Sequence, residues 1–514
     1  MPVMQRRWFR ALTVAAATVL VCDAVAAPEM VVPASKSAAS NTAGMTRIAA
    51  EQPVPRATKA ARVSAARTPV GPGMTLEAGL ILAYQNNPQI NSQRASVRAT
   101  DEGVPTALSG YRPRVTATGT IGSQYSDTLS KSTSTTGVVT YPVTQGQHTP
   151  RTFNLTATQT LYNGFQTANR TRQAEINVSG ARETLRLIEQ TVLLDAATAH
   201  MNLMRDEAIL TLQRSNVEVI QEQLRQTRDR FAVGEVTRTD VAQAESRVAA
   251  AQSQMLTATS NYTTSRAVYR RVIGVDPGRL VAGTPVDRLS PPTLDLAIAQ
   301  GQAESPSVGA ATFGLDAASL AVKISEGALY PVVTVTGQLN KTYESTVTTL
   351  ETYTASAVGQ VQVPLYQGGA EYAAIRSSKE TMGQRRLDLA LNRDQARAAV
   401  VQSWGQLQAA KAQITATTAQ VNAAEVALNG VREEARVGQR TTLDVLNAQQ
   451  ELVNARVALV TAQRDRVVAS YTLLGAVGRL AIPVLGLNVA IYDPMIHYQQ
   501  VRDSWIGVRI PDGR

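Results

Sequence analysis

Two short stretches concentrate the side chains best placed to do chemistry. One reads Val233-Gly234-Glu235-Val236-Thr237-Arg238-Thr239-Asp240-Val241; the other reads Val437-Gly438-Gln439-Arg440-Thr441-Thr442-Leu443-Asp444-Val445-Leu446-Asn447. Asp240, Arg440, Asp444 and Asn447 offer ion pairing, hydrogen bonding and attraction of cations, not nucleophilic attack. A local account covers much of this pattern. Glycine ends one helix in the left-handed conformation, and Thr-x-x-Asp opens the next as a capping-box variant. A first-turn aspartate also offsets the helix dipole. This absorbs Gly234, Gly438, Thr237, Thr441 and part of each aspartate, and leaves Arg440 without a role.

Elsewhere the chemistry is sparse. There is no HExxH, Walker A, GxSxG or GxGxxG, and His148, His200 and His497 stand far apart, so neither a metal set nor a catalytic constellation is expected. The expectation is therefore no enzyme, no cofactor and no metal, with His200 an ordinary polar position on a helix. The one cysteine, Cys22, follows Val21 inside residues 1–27, where Arg6, Arg7 and Arg10 precede an apolar run ending in Ala24-Val25-Ala26-Ala27. That is the layout of a secretory signal peptide, too short to span a bilayer. Its removal would leave no thiol for a disulfide or a thiolate site. The formal charge of +10 has the same origin in part: residues 1–72 hold nine basic and three acidic residues, leaving +4 for the other 442. Without a basic cluster interleaved with aromatics, nucleic acid is not an expected partner.

The elements that must position the two stretches are written twice. Leu161-Tyr162-Asn163-Gly164 returns as Leu365-Tyr366-Gln367-Gly368, and Val233-Gly234 with Asp240 returns as Val437-Gly438 with Asp444, all 204 positions apart. Tyr111-Arg112-Pro113 matches Tyr330-Pro331 at an offset of 219, so the first copy holds 15 extra residues, placed in a Ser/Thr/Gly-rich loop at 126–150. The division expected is a signal peptide (1–27), a disordered linker rich in Ala, Ser, Thr and Pro (28–73), repeat 1 (74–283), repeat 2 (290–481) and a tail (482–514). The tail, broken by Pro483, Pro494 and Pro511, has no assignable role, wrapping outside a helical barrel being one guess.

Each copy opens with helix broken at Asn87-Pro88 or Ser305-Pro306, and then the period becomes two. Val115, Ala117, Gly119 and Ile121 alternate with threonines; so do Phe153, Leu155, Ala157 and Leu161, then Val333, Val335, Gly337 and Leu339, then Ala355, Ala357, Gly359, Val361 and Val363 with uncharged polar residues. Four strands of roughly ten residues, each with one apolar and one polar face, read as transmembrane β-barrel strands. Four are too few to close a barrel, and backbone in a bilayer tolerates no open edge, so several chains must close it together. After each second strand a stretch without proline, 166–233 and 370–437, predicts a helix of ~100 Å at 1.5 Å per residue. Shorter helices follow, so each pair forms an antiparallel hairpin with Val-Gly at its tip. Their small apolar positions suit coiled-coil packing.

The paired repeats, the opening Met74-Thr75-Leu76-Glu77-Ala78 with Asn86-Asn87-Pro88, the Leu-Tyr-x-Gly strand ends and the tip Val-Gly-x-Arg-Thr-x-x-Asp-Val-Leu together resemble the TolC-like outer membrane efflux protein family over about residues 74–480. The resemblance implies an α+β membrane protein: a homotrimer whose twelve-stranded β-barrel, four strands per chain, is continued by a periplasmic α-helical barrel of coiled-coil hairpins. It implies a passive exit duct in the outer membrane, in contact with its lipid, for type I protein secretion or multidrug efflux. Its implied partners are a periplasmic adaptor (membrane fusion) protein, docking at Val233, Gly234, Val437 and Gly438, and an inner-membrane ABC or RND-type transporter. At the periplasmic entrance it implies a gate in which Arg440 pairs with Asp240 and Asp444 forms an acidic ring. Asn447 departs from members with a second aspartate there, and Ala435 from those with a tyrosine. A trimeric adhesin with a coiled-coil stalk is the competing class, but it should show one C-terminal set of strands. A periplasmic enzyme or binding protein would need a compact core with convergent polar groups.

Overall fold

The computed structural model describes residues 74–511; the expected signal peptide and linker lie outside the described residues. The first half runs α1 (Leu76–Asn86), α2 (Pro88–Asp101), α3 (Gly103–Leu108), β1 (Arg114–Ile121), β2 (Gln124–Leu129), β3 (Ser132–Thr133), β4 (Val139–Thr140), β5 (Val143–His148), β6 (Arg151–Asn163), α4 (Gln166–Ala232) and α5 (Arg238–Ile273). The second runs α6 (Leu294–Glu304), α7 (Pro306–Gly327), β7 (Val332–Tyr343), β8 (Glu351–Gln362), α8 (Ala370–Arg436) and α9 (Thr442–Ala476), after which α10 (Pro494–Val501) lies in the tail.

Asn87 shows why the opening helix breaks. Its Oδ1 accepts from Gln89 N at 2.8 Å and caps α2, its Nδ2 donates to Val272 O at 2.9 Å, and Pro88 behind it cannot donate to the preceding turn. The extra residues of the first copy are more ordered than a loop: β2 pairs with β5 and β3 with β4, extending the hairpin between β1 and β6. Threonine-rich alternation supports pairing there. Pro306–Gly327 is long and apolar enough to cross a bilayer. Instead it lies between α4 and α8, with Val308 buried against Leu389 and Ala396 and Gln173 Nε2 donating to Ala317 O at 3.0 Å.

The main sheet has the order β1-β6-β7-β8, antiparallel throughout. Its register sorts the side chains. Ala117, Leu155, Leu339 and Ala355 lie abreast, as do Val115, Ala157, Gly337 and Ala357; on the other face Thr116, Thr156, Gln338 and Ser356 form one row, and Thr118, Asn154, Asn340 and Thr354 another. A one-residue slip would exchange the faces. Among the described residues of the single chain, β1 and β8 each pair on one side only.

Both long helices contain 67 residues, ~100 Å of rise. On α8 the buried positions recur at seven: Leu389, Ala396, Ser403, Ala410 and Thr417 in one row, Val400, Leu407, Val421 and Leu428 in the other, with the half-buried Ile414 between Leu407 and Val421. On α5 Ala244, Ala251 and Ala258 do the same. A seven-residue period keeps one seam facing the partner helix and supercoils the pair left-handedly. The largest apolar cluster joins α1, α4, α5 and α9, including Leu80, Leu193, Leu203, Tyr269, Ile273 and Leu474. It holds the two halves together between the sheet and the hairpins.

Candidate functional site at the hairpin tips

The two tips are built alike. Val233 and Val437 close the long helices, and Gly234 and Gly438 follow with φ of +86° and +82°. A Cβ at either glycine would meet nothing within 4 Å, so only the backbone conformation requires glycine here. Thr237 and Thr441 then accept from the amides of Asp240 and Asp444 at 3.3 Å, and each aspartate Oδ2 accepts from the threonine N–H and O–H. Both capping boxes are complete. The hydrogen bonds from Thr237 hold the Asp240 carboxyl below its ordinary range, and those from Thr441 do the same for Asp444, helped by the charge of Arg440. Both remain anions at neutral pH and below.

Arg440 does not reach Asp240 within the chain. Its Nε donates to Glu434 Oε2 at 2.8 Å, an acceptor that sequence reasoning missed, although a carboxylate six positions back across a tight turn is a signal that could have found it. The first tip carries the mirrored arrangement, with Arg230 Nε bonded to Glu235 Oε2 at 2.8 Å. Among the described residues, capping uses only Oδ2 of Asp240. A carboxylate has about four acceptor positions, so Oδ1 is open to a donor from outside the chain. Val233 and Val437 are 74% and 70% exposed, an apolar knob at each tip.

Asn447 is placed differently from its neighbours in sequence. Arg247 Nη2, on α5, donates to Asn447 Oδ1, on α9, at 2.7 Å, so the departure from aspartate is matched by a cation from the other hairpin. Beside it Leu446 is buried among Val217 and Ile220 of α4 and Ala244 and Ala251 of α5. Burying a leucine is worth roughly 2 kcal/mol, more than a partly exposed polar pair contributes. Leu446 is thus the main fastener between the hairpins near the tips, and Arg247 sets its local charge. Further along, Arg464 Nε donates to Asn202 Oδ1 at 2.7 Å and repeats the arginine–asparagine link between α9 and α4. Neither arginine is visible as a partner in sequence, because each pair spans 200 or more positions.

His200 lies on α4 as a polar helix position, and it is wholly buried, its Nε2 3.0 Å from Val281 O. Among the described residues no group of histidine, cysteine, aspartate and glutamate could hold a metal. Strands occur in both halves of the chain, unlike the single C-terminal set of an adhesin.

Comparison with known proteins bears on the family and the fold. The family model for outer membrane efflux protein matches residues 79–275 and 297–479. The outer membrane efflux protein BepC of Brucella suis is 40% identical over 441 residues, covering 86% of this chain and 93% of that protein. The alkaline protease secretion protein AprF of Pseudomonas aeruginosa is 24% identical over 76% of this chain and 82% of its own length. Among solved structures, the Campylobacter jejuni CmeC outer membrane channel superposes with a TM-score of 0.68 at 16% identity, covering 83% of this chain and 89% of that one.

Proposed function

We propose, from the premise that this chain belongs to the outer membrane efflux protein family, that three copies form a passive duct through which an inner-membrane exporter discharges its cargo. The protein is an outer membrane protein. The observation that carries the duct is the sheet: four strands with one apolar and one hydroxyl- and amide-lined face, two free edges, and helices of 67 residues on the same chain. Pairing β1 of one copy with β8 of the next removes every edge, as a bilayer requires. Three copies give a twelve-stranded barrel whose polar face lines the lumen.

At the other end the capped tips form the entrance. Three Asp444 carboxylates around a common axis repel one another, attract cations and disfavour anions. Arg440 exchanges Glu434 for the open Oδ1 of Asp240 on a neighbouring copy when the entrance closes. Such exposed pairs are individually weak, so several act together and adaptor contacts can still release them. The exposed Val233 and Val437 receive the hairpins of a periplasmic adaptor. Drug efflux is the first cargo class to assay, because the relative at 40% identity is an efflux protein; the likeness to AprF keeps protein secretion as the second.

Planar bilayers test this directly. Arg440→Ala should raise single-channel conductance severalfold, and Asp444→Asn should weaken block by divalent cations. A stable pore indifferent to both changes would reduce the two residues to caps, and absence of any pore would remove the duct.

A further inference from the structure

The tail after α9 is used by none of this, yet it is firmly placed. Leu480 and Ile482 enter the main core. Tyr492 N donates to the Tyr84 hydroxyl at 3.2 Å, and the Arg94 guanidinium lies between the two rings, 4.5 Å from Tyr84 and 5.1 Å from Tyr492. On α10, His497 Nδ1 bonds Asp101 Oδ2 at 3.0 Å, with Asp101 fully buried, and Arg182 covers the Tyr498 ring at 5.2 Å. Arg112 then stacks on Trp505 at 4.5 Å and donates from Nη1 to Ser504 O at 2.6 Å. Successive tail residues thus meet positions 84, 94, 101 and 112 in order. The tail runs along α1 to α3 and reaches Arg112, two residues before β1 begins at Arg114.

What it delivers there is apolar and uncovered. Trp505 is 63% exposed, Ile506 95% and Val508 100%, with Ile510 also exposed and Arg509 among them. Tyr111, Tyr330 and Tyr366 stand exposed at the same end of the sheet, next to β1, β7 and β8. Aromatics spread across several strand ends mark a membrane–water boundary, where a ring sits at headgroup depth and its polar edge stays wet. Contact with a neighbouring copy would collect them at one edge and would bury Arg509, whereas a phospholipid surface offers that arginine a phosphate.

We propose that residues 505–510 lie on the inner, phospholipid leaflet of the outer membrane. Trp505 sits at headgroup depth beside Tyr111 and Ile506 and Val508 reach below it, so each copy carries a lipid anchor outside the barrel. This rests on the barrel reading but not on the gate.

Trp404 and Trp505 are the only tryptophans beyond Trp8. Trp404→Tyr therefore leaves Trp505 as the reporter once the leader is removed. The purified protein would be placed in phosphatidylethanolamine/phosphatidylglycerol vesicles containing lipids brominated at shallow or deep acyl positions. Trp505 emission should be blue-shifted and quenched more by shallow bromines, and Ile506→Ser with Val508→Ser should at least halve that quenching. A second chain, with Trp404→Tyr, Trp505→Phe and Tyr353→Trp on the apolar face of β8, reports barrel insertion by itself. If that reporter is quenched while Trp505 is not, the anchor is wrong. Red emission from Trp505 would then mean solvent, and unquenched blue emission a neighbouring copy. If neither is quenched, the barrel reading falls and the anchor with it.

Discussion

Arg440, Asp240 and Glu434 define a choice that a single guanidinium can make only one way at a time. In the chain alone it takes Glu434, six positions back, because that carboxylate is local and costs no closure of a long loop. A second choice sits at Asn447, where Arg247 supplies the only charge in the pair. Asn447→Asp by itself should change divalent block little, since Arg247 would neutralise the new carboxylate. Asn447→Asp combined with Arg247→Ala should deepen the block severalfold, read as the cation concentration that halves conductance. If the single change already deepens block as much as the double, Arg247 does not control this position. Leu446→Ala is the stronger lesion mechanically, at about 2–5 kcal/mol for a buried leucine. It should shift the pore towards longer open times than Arg247→Ala does, and the reverse order would show that the polar link governs closure.

At the scale of elements, α4 carries one buried group that makes the protein sensitive to acid. Burial lowers the His200 pKa from its ordinary 6.5, only partly opposed by its bond to Val281 O, and the nearest aromatic ring is Tyr269, whose centroid lies 6.1 Å away. Folding therefore favours the neutral ring. Above 6.5 neither state is protonated and stability is unaffected; as the pH falls through 6.5 the unfolded chain binds a proton first, and stability drops until the folded value is reached. Thermal unfolding should occur at a lower temperature at about pH 5.5 than at about pH 7.5, and His200→Gln should remove that component. An unchanged pH dependence in the variant would assign it to other groups. The strand-to-helix turn after β6 is equally constrained: Gly164 has φ +63°, and a Cβ there would fall 2.3 Å from Gly327 O. The clash explains the glycine of the first Leu-Tyr-x-Gly; at Gly368, where φ is +70° and a Cβ would meet nothing within 4 Å, only the backbone conformation requires it.

For the whole molecule the open question is closure. Between residues 23 and 514 the chain contains no cysteine, so introduced pairs report without background. With Thr118→Cys in β1, single cysteines walked along the polar face of β8, from Thr354 to Gln360 in steps of two, should yield a covalent species of three copies. Only positions whose Cβ atoms approach to about 4 Å will oxidise, so the pattern also gives the register across the joint. Species stopping at two copies, or none, would contradict a closed threefold barrel.

How much of this was legible depends on distance along the chain. Periods of two and seven, the Asn87-Pro88 break, the Val-Gly tips and their Thr-x-x-Asp boxes follow from backbone geometry and neighbours within a turn or two. The amino-acid sequence therefore determined the strands, the hairpins and the capped ends. The faces of the sheet were equally readable, since alternation is local and the register merely aligns it. Partner choices were not. Whether Arg440 meets Glu434 or Asp240, that Arg247 reaches Asn447 across 200 positions, that His497 finds Asp101, and that the tail runs to the foot of β1 depend on how rigid elements dock. Docking is decided by the summed packing of helices such as α4, α5 and α9. No short stretch of residues encodes that sum, so only the tertiary structure could decide it.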